Sequence, residues 1–158
     1  MSKRSKIAYF LISTMFFILF DLFFSDLTLQ NVKNVPENSL MDLIYVQNTG
    51  AAFSMLQDAK IFLICFSAAA ILWILYYTLR HISKASVFAI FWVSLLLAGI
   101  FCNMYERIVF GYVRDFFKLN FVNFPVFNIS DIFINLSVFA IVIIIVRHNF
   151  KKSNETGN

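Results

Sequence analysis

N-M-Y-E-R-I-V-F-G-Y-V-R-D-F-F-K-L-N-F-V-N-F-P-V-F-N-I-S-D, residues 103–131, places two aspartates, Asp115 and Asp131, between strongly apolar segments. Asn103, Glu106, Arg107, Gly111, Arg114 and Asn128 lie with them, in a chain that is only 14% charged. Acidic side chains beside apolar runs of bilayer length are costly to place, so each asks for a partner or a task. The remainder of the chain reads as a holder for this segment.

Working outward, residues 87–104 form an apolar run on one side of the stretch and residues 129–146 form another on the far side. Residues 7–24 and 61–79 bring the number of such runs to four. Each is long enough to cross a bilayer core of about 30 Å as a helix. Composition points the same way, since 60% of the residues are hydrophobic against about 45–50% in a soluble domain. The expected fold is an all-α membrane protein, residues 1–158 forming one domain, a four-transmembrane-helix bundle. The short link between the second and third runs makes them an antiparallel hairpin. The first run is longer than the 7–15 residues usual in a signal peptide, and no small-x-small cleavage site follows it. It is therefore expected to be an uncleaved anchor.

Charge placement sets the expected orientation. Lys3, Arg4, Lys6, Arg80, Lys84, Arg147, Lys151 and Lys152 fall on one side of the four runs. Lys33, Lys60, Arg107, Arg114 and Lys118 fall on the other, together with every acidic residue that is not in a span, Glu155 excepted. The positive-inside rule then makes both termini cytoplasmic and segments 25–58 and 105–128 extracytoplasmic. Segment 25–58 contains Pro36 and the short piece Leu43-Ile44-Tyr45-Val46, which predicts a small strand or hairpin outside the membrane. It closes on Asn48-Thr49-Gly50-Ala51-Ala52-Phe53, a turn signal followed by small residues that permit close backbone approach.

Several function classes lose support here. No basic cluster is interleaved with aromatics, so no nucleic acid is expected as a partner. His81 and His148 lie in the basic flanks, away from the acids, and Cys65 and Cys102 are not at ligand spacing. No metal or other cofactor is therefore expected. Both cysteines fall in apolar runs and read as small buried hydrophobes. Asp115 and Asp131 lie toward the same face of the membrane, and Phe124-Pro125 favours a chain reversal that lets them meet. Two readings then stand. The pair can share a proton and activate water for amide hydrolysis, because like charges about 3 Å apart do not both ionise. Alternatively the aspartates are interface markers or helix caps, a role for which Asp131 is well placed. Asp21 likewise reads as a marker of membrane exit, or as an acid far enough inside the span to need a partner.

These residues resemble the motifs of the lipoprotein signal peptidases, the type II signal peptidases of bacteria. Asn48-Thr49-Gly50-Ala51-Ala52-Phe53 matches the N-x-G-A-A-F pattern in full. Asn103, Arg107, Gly111, Val113, Asp115 and Phe116 match G-N-x-x-D-R-x-x-x-G-x-V-x-D-F, and Phe127-Asn128-Ile129-Ser130-Asp131 matches F-N-x-A-D. Asp21 stands where that family carries an aspartate at the end of its first helix. The resemblance implies a metal-independent intramembrane aspartyl endopeptidase of the bacterial inner membrane, its active site at the outer face. Its substrates would be diacylglyceryl-modified prolipoproteins, cut just before the lipidated cysteine, with membrane phospholipid around them and the enzyme a monomer. Asp115 and Asp131 would be the catalytic dyad. Asn48, Gly50, Asn103, Arg107, Asn128 and Asp21 would bind substrate or support the dyad, and segment 25–58 would form a small β-sheet and a flap. A catalytically inactive relative that binds lipid-modified peptides or aids lipoprotein assembly is the alternative. The chain departs from the family pattern at four positions. Cys102 replaces glycine, Glu106 the aspartate before Arg107, Ser130 an alanine, and Ser25 the lysine after Asp21. A pairing of Glu106 with Arg107 is expected to need local adjustment, and Ser130 is expected to place a hydroxyl beside the dyad.

Overall fold

The fold is described from a computed structural model, which covers residues 1–32, 39–50 and 59–156. In chain order the elements are α1 (Lys3–Asn31), β1 (Met41–Asn48), α2 (Lys60–His81), α3 (Val87–Val109), β2 (Val113–Leu119) and α4 (Ile129–Thr156). All four helices are long and apolar enough to cross a membrane. Two of the helix starts carry serine caps. Ser2 caps α1 by accepting from the Ser5 amide at 3.1 Å, and Ser86 caps α3 by accepting from the Ala89 amide at 3.0 Å. The helices outrun the apolar runs that announce them. The 29 residues of α1 extend for about 44 Å, so its ends emerge from a bilayer core of about 30 Å.

The third helix is the axis of the bundle, packing against α1, α2 and α4, while α1 and α4 touch each other sparingly. One buried cluster (Phe10, Ile74, Ile82, Ile90 and Leu97) joins α1, α2 and α3. Another (Leu95, Phe116, Ile129 and Phe133) joins α3 and α4 to β2. Gly99 makes the α3–α4 contact possible: a Cβ there would lie 2.7 Å from the Ser130 carbonyl oxygen. At the end away from the sheet, Lys6 Nζ donates to the carbonyls of Ser83 at 2.9 Å and Ala85 at 2.6 Å. It ties the start of α1 to the α2–α3 turn. Large apolar side chains such as Trp73 and Phe139 cover the outside of the bundle, a surface that suits lipid rather than water. Cys65 belongs to that outer surface, which corrects the expectation of a buried thiol; only Cys102 is buried. The reason is geometric, because α2 meets the bundle chiefly through α3.

The sheet is small and long-range. β1 and β2 pair antiparallel from Met41↔Leu119 to Asn48↔Val113, with an irregularity between Leu43 and Val46. A strand in segment 25–58 was expected; its partner, Val113–Leu119, lies some 70 residues later in the chain. Gly111, with φ at +89°, makes the tight exit from α3 into β2, a conformation glycine adopts without strain. After β2 the chain reverses through Phe124-Pro125, and Phe127 returns beside Phe117, exchanging backbone bonds of 2.8 and 3.1 Å. That return delivers the start of α4 to the face of β2 that carries Asp115.

Candidate active site

Four elements converge beneath the sheet around a cavity of about 610 Å³. β1 and the turn after it supply Asn48 and Gly50, α3 supplies Asn103 and Arg107, β2 supplies Asp115, and α4 supplies Asp131. Asn128, 3% exposed, lies against the base of this group. Val46, Val113, Phe124, Phe127, Ile132 and Leu136 furnish apolar wall.

Three asparagines hold the two carboxylates. Asn48 Nδ2 donates to Asp115 Oδ2 at 2.9 Å, and Asn128 Nδ2 donates to Asp115 Oδ1 at 3.0 Å. Asn103 Nδ2 donates to Asp131 Oδ1 at 2.9 Å, while Asn103 Oδ1 accepts from Asn128 Nδ2 at 3.1 Å. Asn128 also opens α4. Its side chain accepts from the Asp131 amide at 2.9 Å, and Asp131 Oδ2 accepts from the Asn128 amide at 3.3 Å. This reciprocal capping arrangement fixes Asp131 in the first turn of the helix. Asp131 thus caps the helix, as one of its two sequence readings expected, and also lines the cavity.

Arg107 braces the opposite wall. Its guanidinium donates to the Gly50 carbonyl at 2.7 Å and to the Asn103 carbonyl at 3.1 Å, one helical turn below. Gly50 in turn donates its amide to Asn48 Oδ1 at 2.9 Å, orienting that amide toward Asp115. Arg107 Nε is buried with no hydrogen-bond partner among the described residues. Asp115 is 1% exposed, and burial is the main force pushing its pKa up to about 7. The charge of Asp131 adds to the rise, while the Asn48 hydrogen bond and Arg107 oppose it. A carboxyl that titrates near neutrality beside a second carboxyl can exchange protons with water and with a leaving group in the same cavity.

The other sequence candidates fall elsewhere. Asp21 is buried in the bundle behind Asp131, where its Oδ2 accepts from Ser130 Oγ at 2.7 Å. The Ser130 hydroxyl therefore serves Asp21 and not the pair of acids. Glu106 does not pair with Arg107; it takes Arg114, at 2.7 Å. The reason is direction, since Arg107 points to the cavity and Arg114 leaves β2 on the bundle side. Residues 51–58, with the rest of the Ala51-Ala52-Phe53 motif and the expected flap, lie outside the described residues. Sequence reading missed Asn135, which lines the cavity and donates to the Asp131 carbonyl at 2.8 Å. Its position four residues after Asp131, on the same helix face, was the available signal.

Comparison with known proteins gives consistent results. The family model described as signal peptidase (SPase) II matches residues 13–147. A lipoprotein signal peptidase from Buchnera aphidicola subsp. Schizaphis graminum is 34% identical, the match covering 95% of this chain and 99% of that protein. One from Enterococcus faecalis is 31% identical, over 90% of each chain. Among solved structures, a bacterial membrane enzyme determined by the in meso method superposes with a TM-score of 0.81 at 22% identity, covering 92% of both chains.

Proposed function

Because this chain belongs to the signal peptidase II family, we propose that it removes the signal peptide of diacylglyceryl-modified prolipoproteins, with Asp115 and Asp131 as the reacting pair. The observation that carries the proposal is the cavity in which two carboxylates from different elements are held by Asn48, Asn103 and Asn128. The ionised member of the pair takes a proton from water as the water oxygen attacks the scissile carbonyl carbon. The protonated member gives its proton to the departing amide nitrogen as the C–N bond breaks. The pair is left with one proton, and a proton exchange with solvent resets it. Arg107 and the Gly50 turn set one side of the peptide-binding groove, while the apolar wall accepts side chains of the signal segment.

In this reading no metal takes part in the chemistry. The protein works as a monomer in the bacterial cytoplasmic membrane, its termini inside and its cavity at the outer face, where the diacylglyceryl group of the substrate remains among phospholipids. The excess of Lys and Arg at the α1 start and the α2–α3 turn supports that orientation. The test is cleavage of a diacylglyceryl-cysteine peptide, and of the same peptide without lipid, by the purified chain in detergent with a chelator present. A product mass that places the cut just before the lipidated cysteine, with the unlipidated peptide left intact, is the expected outcome. Equal cleavage of both peptides would refute the substrate assignment, and loss of activity with chelator would refute the metal-free mechanism.

A further inference from the structure

Arg114 and Asp115 are consecutive on β2, so their side chains leave opposite faces of the strand. Asp115 lines the cavity, and Arg114 turns toward the bundle. There Glu106, 4% exposed, holds it at three points. Glu106 Oε2 accepts the backbone N–H of Arg114 at 2.7 Å, and Oε1 accepts Nε–H at 2.8 Å while lying 2.7 Å from a terminal guanidinium nitrogen. Asp26 on α1 takes the other guanidinium arm at 2.9 Å, and the Phe110 ring centre lies 4.4 Å from the guanidinium carbon. A charge-assisted pair with one member buried and several hydrogen bonds resists displacement far more than an exposed pair does.

We propose that Glu106 and Arg114 are positioning residues for Asp115, fixing the residue that precedes it to α3 and so setting the depth and direction of its carboxylate toward Asp131. The proposal rests on the reading of Asp115 as a reacting group. Helix α3 then serves as a common ruler for both acids. Asn103 holds Asp131 and, three residues on, Glu106 holds the strand that carries Asp115. The length of the glutamate matters. An aspartate at this position would fall short by one C–C bond, about 1.5 Å, of the reach that spans both the backbone N–H and the guanidinium.

The experiment compares full-length wild type, E106A, E106D, R114A, E106A/R114A and D115N on a diacylglyceryl-cysteine peptide. It reads kcat and KM per folded molecule recovered from gel filtration. E106A is expected to lower kcat by about 10–100-fold with KM within about threefold. R114A loses less, because its backbone N–H still reaches Glu106, and the double variant is no worse than E106A alone. A purely structural role would reduce the folded yield and leave kcat per folded molecule unchanged. The proposal is overturned by a folded E106A with wild-type kcat, by a loss confined to KM, or by single losses that multiply in the double variant. Should E106A give no folded protein, E106D carries the test: a reduced kcat supports the clamp and an unchanged one overturns it. Activity surviving in D115N would instead remove the reading on which the proposal stands.

Discussion

Asp115 combines 1% exposure with an acid neighbour, and both effects favour its protonated form. Its pKa rises from 3.8 to about 7, so the native state binds a proton that the unfolded chain gives up. The contribution to stability is therefore complete below about pH 4 and is lost as pH rises through 7. Thermal midpoints measured in detergent should fall for wild type across that window. In Asp115→Asn, which has no proton to release, they should fall less; equal slopes would contradict the shift. The same titration predicts that turnover declines on the alkaline side near pH 7, where the pair loses its shared proton, measured as kcat/KM against pH. Much of this site was legible in the sequence, since Asn48, Asn103, Arg107, Asp115, Asn128 and Asp131 carry motif spacing. The partners of Glu106 and Ser130 were not. A hydrogen bond to Arg114 or Asp21 depends on which face of a strand or helix each side chain leaves, and that is decided only when elements pack.

Among the elements, α3 and α4 come close together at Gly99, where an added methyl would press on the Ser130 backbone at 2.7 Å and on the Ile134 side chain at 2.9 Å. Since backbone cannot step aside cheaply, Gly99→Ala should cost about 1–3 kcal/mol, read from the unfolding midpoint. It should also lower kcat, because the displaced turn holds Asp131. A fully stable, fully active Gly99→Ala would show that the helices separate without disturbing the site. The four helices were evident from apolar length alone, and the return at Phe124-Pro125 from the proline. The partner of β1 was not, because Val-Arg-Asp-Phe-Phe-Lys-Leu lies far from it in the chain, and its alternation was overshadowed by the two acids and the helix ends around it. Pairing at that separation is set by the bundle, which brings the two segments to one end.

At the scale of the whole molecule, the described residues form a bundle of four membrane helices closed at one end by a two-stranded sheet, with the buried acids gathered where helices and sheet meet. That placement reconciles carboxylates with a lipid-soluble scaffold, because asparagine side chains and helix-terminal amides solvate them in place of bulk water. The proposed orientation rests on the basic residues at the opposite end. Labelling of single cysteines, in a background with Cys65 and Cys102 replaced, should find position 84 protected from an impermeant reagent in intact cells and position 118 reactive. The reverse pattern would invert the topology. We propose that Asp115 and Asp131 together perform the hydrolysis. Its most direct measurement is single-turnover cleavage of a diacylglyceryl-cysteine peptide by purified wild type, Asp115→Asn and Asp131→Asn, with folding of each verified. Wild-type cleavage with a loss of at least about 10³-fold in both variants is the predicted result, and cleavage by either folded variant at a rate near wild type would contradict it.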